Sequence, residues 1–181
     1  MGRPKALVEL AGRPLIAHAL AAVEEASLEP IVVAKPQSAL PSLSCRVVRE
    51  PAEPVHPLRG VVSALDESDG RPVVALACDM PLVPALLLEW IAGLDAAAAV
   101  VEAAGRVQPL LARYEPTVAR ALAVAVAGGS PAHEAVSELD PRVIADDELA
   151  RFGDPELICL NVNTPADLER AAAVLAAAGQ I

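Results

Sequence analysis

The stretch Pro72-Val-Val-Ala-Leu-Ala-Cys-Asp-Met-Pro81 constrains the fold of this chain more than any other. Residues 73–77 are apolar without alternation, with Gly70 and Pro72 before them and Pro81 and Pro84 after. A short apolar run of this kind reads as a strand covered on both faces, as in a parallel sheet between helix layers. Asp79 then falls where the strand ends, and ligands of open α/β sheets collect at the carboxyl ends of strands. A carboxylate there can hold Mg²⁺ against a phosphate. Asp79 could equally do no more than cap the helix that starts near Pro84, and on this stretch alone the two readings are balanced.

The rest of the chain alternates in the same sense. Residues 14–26 have a helical pattern with Pro14 in the first turn, and residues 30–34 are a buried strand. Another strand centres on Val47 and Val48. Residues 50–58 carry Pro51, Pro54 and Pro57, cannot be regular, and form a candidate binding loop. Helices are expected over 58–67 and over 84–94, the latter with Leu86, Leu87, Trp90 and Ile91 inward. Residues 97–102 and 107–114 read as a hairpin about Gly105 that puts one antiparallel strand into the sheet. A helix over 117–126 stops at Gly128-Gly129. Short strands are expected over 142–145 and 157–162. Thr164-Pro165-Ala-Asp167 has the form of a helix cap, and the last helix runs to about residue 177. This is a βαβ pattern: one α/β domain over residues 1–181, a mostly parallel sheet with one antiparallel strand.

Composition narrows the function. The chain has 181 residues, 54% hydrophobic but only 2% aromatic, so Ala, Leu, Val and Ile must build the core. Its formal charge of −10 argues against non-specific binding to nucleic acid or to an anionic membrane. An anionic small ligand would need a local basic patch, such as Arg3, Lys5 and Arg13 against the single acid Glu9. No apolar run would span a bilayer, and Met-Gly-Arg-Pro-Lys lacks the apolar core of a signal peptide, so a cytoplasmic protein is expected. Cys45, Cys78 and Cys159 lie far apart and read as reduced thiols. No serine lies in a G-x-S-x-G motif, and there is no G-x-G-x-x-G or Walker loop. His18, His56 and His133 lack metal-ligand spacing and are expected at the surface. What remains are loop residues after strands: Asp79, Gln108, and Asn161 to Thr164. Locally, Asn163 is as well explained by a hydrogen bond beside the Thr164 cap, and Lys5 by an ordinary surface lysine.

Taken together, these segments resemble a known family. Met1-Gly-Arg-Pro-Lys-Ala-Leu-Val-Glu-Leu-Ala-Gly-Arg-Pro-Leu-Ile16 is similar to the later half of the nucleotidyltransferase signature, in which a glycine-rich loop precedes R-M-G-x-x-K. Pro57-Leu-Arg-Gly60, Cys78-Asp-Met-Pro81, Gln108-Pro-Leu110 and Asn161-Val-Asn-Thr-Pro165 match further motifs in the family's order. Each is weak singly; five in order are specific. The chain is thereby identified as resembling the MobA-like nucleotidyltransferases, and within them the molybdenum cofactor guanylyltransferases.

The resemblance implies a Rossmann-like three-layer α/β/α fold and Mg²⁺-dependent transfer of GMP from GTP to molybdopterin with release of pyrophosphate. By position it implies that Asp79 binds the metal and Lys5 contacts the nucleotide phosphates. It places Arg3, Glu50, Pro57, Leu58 and Gly60 at the nucleotide, and Gln108, Asn161 and Asn163 on the acceptor side. Macromolecular partners within its reach are a molybdoenzyme-maturation protein or a second copy of the chain. There are departures. The family's first strand and glycine-rich loop are expected to be missing, because the match starts at the Met of R-M-G; an upstream natural start is the simplest reading of that gap. Ala34 stands where the family often has Asn, and His56 and Arg59 stand where small residues are usual. The alternatives are a cytidylyltransferase or another small-phosphate nucleotidyltransferase and, in a different class, a non-catalytic binding protein.

Overall fold

The computed structural model describes residues 4–178. The apolar run forms β5 (Val73–Leu76), and it lies in a four-stranded sheet of order β5-β7-β6-β8, with β6 (Ala98–Ala103), β7 (Arg106–Tyr114) and β8 (Arg142–Ile144). β7 runs antiparallel to both β5 and β6, whereas β6 and β8 are parallel. The single reversed strand is therefore the second arm of the expected hairpin. Its two-residue turn needs left-handed backbone, and Ala104 and Gly105 supply it at φ 49° and 69°. Two smaller ladders complete the strands. β1 (Glu9–Leu10) and β2 (Arg13–Pro14) form a tight antiparallel hairpin, and β3 (Ile31–Ala34) pairs in parallel with β4 (Arg46–Arg49). Among the described residues, β3 and β5 do not pair with each other.

Burial along β6 shows why its sequence does not alternate. Ala98 and Val100 face one helix layer, where they pack with Val61, Val62 and Leu65 of α2 (Arg59–Asp66) and Leu122 and Val126 of α4 (Ala119–Gly128). Ala99, Val101 and Ala103 face the other, against Leu87, Leu88 and Ile91 of α3 (Ala85–Ala92). Partly buried Ala22 and Val23 of α1 (Leu15–Glu25) join that second layer. Alternate residues feed opposite cores, so residues 98–101 are all apolar and the charged Glu102 comes only near the end of the strand. The result is a three-layer α/β/α arrangement. On the α4 side it is extended by α5 (Ala132–Ser137), which adds Ala135 and Val136.

Four expectations are corrected. Leu86 points outward at 68% exposure, because residues 87, 88 and 91 carry the buried stripe of α3 and Trp90 is only half-buried. The strand expected over 157–162 is not there. After the short α6 (Asp146–Leu149), a helical turn α7 (Pro155–Ile158) forms instead. Asp154 accepts from the Glu156 N–H at 2.9 Å and Pro155 sits at the first helical position, a start signal that outweighs the apolar run behind it. Residues 159–163 then continue without a ladder. His18 and His56 are part-buried and bonded to backbone carbonyls rather than simply solvated.

The final helix α8 (Pro165–Ala178) starts as the cap motif demands. Thr164 Oγ1 accepts from the Asp167 N–H, and the Asp167 carboxylate accepts from the N–H groups of Asn163 and Thr164 and from the Thr164 hydroxyl. Those donors hold the Asp167 carboxyl below its usual value.

Candidate functional site

A third, smaller core brings the two ends of the chain together. Val8, Leu10 and Leu15 from the start pack with Leu160, Val162 and Ala171 from the end, and Leu82 lies against them. The Val162 N–H donates to the Asp79 carbonyl at 2.8 Å, tying the end of β5 to the segment before α8. Lys5 begins a short 3-10 turn, Lys5–Leu7, set just ahead of this core.

The consequence is a cluster of three side chains. Lys5 Nζ donates to Asp79 Oδ2 at 2.6 Å and to Asn163 Oδ1. The partners lie 74 and 158 residues away in sequence. Asp79 is nearly buried, at 15% side-chain exposure, while Lys5 is half-exposed at 47%. An ammonium held between a carboxylate and an amide oxygen, open to solvent on one side, can receive a polyanion. No described residue donates to Asp79 Oδ1. Behind the cluster, burial raises the Cys78 thiol, with the Asp79 charge adding to the effect, which keeps it neutral beside the site.

A second group forms around the proline-rich loop. His56 Nδ1 accepts from the Leu58 N–H at 3.1 Å, which leaves Nε2 as the protonated nitrogen that donates to the Ser130 carbonyl at 2.7 Å. This bridge pins the loop to the segment after α4. Leu58 itself is fully buried, so its side chain serves the core and only its backbone faces the loop; Pro57 is exposed. Gly60 lies directly under Glu50, since a Cβ built on it would stand 3.4 Å from Glu50 Oε2. Burial holds the Glu50 carboxyl above its usual value, with the charges of Lys35 and Arg59 pulling it back.

That carboxyl makes a stability prediction. An acid with a raised folded value binds protons more tightly folded than unfolded, so its contribution to stability falls as pH rises through the window just above 4.5. Glu50→Gln is therefore expected to melt higher than the wild type at pH 7. The gain should disappear when both are compared below pH 4.5. A lower melting temperature for Glu50→Gln at pH 7 contradicts this account of the burial.

Of the remaining candidates, Gln108 sits on β7 with its amide on the Arg106 carbonyl at 3.3 Å, and the Asn161 amide donates to the Cys159 carbonyl at 3.1 Å. Neither makes a hydrogen bond to the Lys5 cluster. Arg3 lies outside the described residues. Arg59 and His56 had shown themselves in the sequence only as departures from a motif. Among the described residues, no three His, Cys, Asp or Glu side chains come together to hold a metal unaided.

The geometry agrees with the family model that matches the chain, the MobA-like NTP transferase domain, over residues 1–143. The chain belongs to that family. A molybdenum cofactor guanylyltransferase of Pseudomonas putida is 34% identical over 166 residues, covering 86% of each chain. Among solved structures, the molybdopterin-guanine dinucleotide biosynthesis protein A of Archaeoglobus fulgidus superposes with a TM-score of 0.78 at 23% identity, over 97% of this chain and 92% of that one. A Mycobacterium tuberculosis protein solved as a complex with manganese has a TM-score of 0.61 at 19% identity, over 95% and 93% of the two chains. These likenesses establish an α/β nucleotidyltransferase fold with mixed sheets, and the family places the chain among nucleotidyltransferases of molybdenum cofactor biosynthesis. No helix among the described residues is long and apolar enough to cross a membrane.

Proposed function

We propose that the chain transfers GMP from GTP to molybdopterin, forming the guanine dinucleotide and releasing pyrophosphate, in the cytoplasm. The observation that carries this reading is the convergence of Lys5, Asp79 and Asn163 from three distant segments. In the reaction an oxygen of the acceptor phosphate attacks the α-phosphorus, and the bond from that phosphorus to the β-bridging oxygen breaks. The electron pair leaves on pyrophosphate. A phosphate monoester is largely doubly ionised at neutral pH, with its second pKa near ~6, so the nucleophile needs no general base. The cluster accordingly holds a cation, a carboxylate and an amide, the groups that position and neutralise a polyphosphate.

Lys5 sets positive charge against the triphosphate, while Asp79 and Asn163 fix where its ammonium sits. Phosphoryl transfer depends mainly on such positioning and neutralisation. Asp79 also fits a divalent cation. One of its oxygens is engaged by Lys5 and the other accepts from no described residue, and Mg²⁺ commonly takes one or two carboxylates and completes its shell with water and phosphate. Mg²⁺ bound there would neutralise phosphate charge. Glu50, Gly60 and the backbone around Pro57 and Leu58 hold the base and ribose, with Arg3 on the phosphate side. Gln108 and Asn161 face the acceptor. Any protein partner would be a second copy or a molybdoenzyme-maturation protein.

We further propose that the β3–β4 ladder and the four-stranded sheet belong to one sheet, with room between β3 and β5 for another strand ending in a glycine-rich loop. The support is that α2 packs on both β3 and β5 although the two are unpaired.

Titrating the chain with GTP and with CTP, with and without Mg²⁺, tests the nucleotide assignment. Tighter, Mg²⁺-dependent binding of GTP is expected. A preference for CTP would favour the cytidylyl reading, and no Mg²⁺-dependent binding of either would favour a non-catalytic protein.

A further inference from the structure

Arg59 is the first residue of α2 and carries a guanidinium with no ion-pair partner among the described residues. Its Nε is buried and makes no hydrogen bond. A buried donor left unpaired costs free energy and calls for an explanation that the described residues do not supply. Glu50 is the mirror case. It follows β4, its N–H is fixed on the Ala34 carbonyl at 3.0 Å, and its carboxylate forms no ion pair among the described residues. The two side chains bear opposite charge, lie close enough for each to act on the other, and yet form no salt bridge. Gly60, next to Arg59 in sequence, lies under Glu50, where a Cβ would stand 3.4 Å from Glu50 Oε2. The loop that presents Arg59 is anchored by the His56 bridge to Ser130 and by the buried Leu58, so the guanidinium hangs from a fixed backbone.

A carboxylate and a guanidinium that lie near each other, neither of them in an ion pair among the described residues, suit a planar ligand with donors on one edge and acceptors on another. Guanine has that pattern: N1–H and N2–H donate, while O6 and N7 accept, and an arginine fork matches O6 and N7 as a pair. We propose that Arg59 is a base-reading residue that grips O6 and N7 of the guanine while Glu50 takes N1–H and N2–H. Cytosine carries its N4 donors and its N3 and O2 acceptors on a single edge, so it cannot meet a carboxylate on one side of the ring and an arginine fork on the other. Ala34 cannot contribute a side-chain contact, and Arg59 replaces that missing selectivity from the other side of the ring. This inference rests on the GTP reading above.

The test compares the wild type, Arg59→Ala and Arg59→Lys with GTP, 7-deaza-GTP, which lacks the N7 acceptor, and CTP. A melting curve for each variant controls for folding. The wild type should bind 7-deaza-GTP several-fold more weakly than GTP. In Arg59→Ala the GTP affinity should fall about 10–100-fold further than the CTP affinity, the range expected for losing one bidentate base contact. The penalty for 7-deaza-GTP should vanish with it. The loss should appear in KM rather than kcat, because the base is held equally in ground and transition states. Arg59→Lys, a point charge without a fork, should fall between. If Arg59→Ala weakens all three nucleotides alike, or keeps the 7-deaza penalty, Arg59 serves the fold or the phosphates and the proposal is overturned. If the wild type itself shows no preference for GTP over CTP, the GTP reading fails first, whatever the variants do.

Discussion

Asp79→Asn is expected to lower kcat/KM on the order of 10²–10³-fold, the usual loss when one preorganised electrostatic contact to a developing charge is removed. The substitution keeps the shape of the side chain and takes away the charge that both Lys5 and a divalent cation require. Its structural cost is small. The Lys5–Asp79 pair joins a nearly buried carboxylate to an ammonium that is 47% exposed, and a pair so open to water contributes about 1 kcal/mol or less. The melting temperature should drop by no more than about 2–4 °C for a chain of this size. Large loss of turnover with a nearly unchanged melting curve separates a catalytic carboxylate from a helix cap. Wild-type turnover in Asp79→Asn would remove the metal and positioning role together.

Lys5→Met should produce the second large effect. Methionine preserves an unbranched apolar stem of similar reach and removes only the ammonium. Without it, the triphosphate meets Asp79 uncompensated, and kcat/KM for GTP is expected to fall about 10²-fold. Lys5→Arg should not restore the rate. Its planar fork cannot place a compact charge in the space between Asp79 Oδ2 and Asn163 Oδ1. Steady-state rates at saturating and limiting GTP would show it. Turnover by Lys5→Met within twofold of the wild type would reduce the lysine to a surface ion pair.

The part of this molecule that could be read in advance is the part governed by local periodicity. The unbroken apolar run of β5 announced a strand covered on both faces, and its two cores, one on each side, are the reason. Gly105 announced the hairpin because only a left-handed turn joins two strands in two residues. The Lys5 cluster was different. Neither the periodicity nor the composition around Lys5 distinguishes it from any exposed lysine. It meets Asp79 and Asn163 through Val8, Leu10 and Leu15 packing on Leu160 and Val162, a contact between chain ends that no window of sequence contains. The match of motifs in order singled out these residues instead, and the structure brings Lys5, Asp79 and Asn163 together.

The failures have equally specific causes. Leu86, Leu87 and Leu88 are identical in type, so periodicity could not choose which two face the core. Over 157–162 the apolar content favoured a strand, but Asp154 and Pro155 had already committed the backbone to a helical turn. His56 read as a surface residue because its two partners, the Leu58 N–H and the Ser130 carbonyl, come from a bent loop and a distant segment.

The central claim is that this chain joins GMP to a molybdopterin phosphate, and one measurement tests it most directly. Purified protein is incubated with GTP, Mg²⁺ and molybdopterin, and pyrophosphate and dinucleotide are counted together. The account predicts one pyrophosphate per guanine dinucleotide, no pyrophosphate when the acceptor is omitted, and slower release when CTP replaces GTP. Pyrophosphate released at the same rate without molybdopterin, or a faster reaction with CTP, would contradict it.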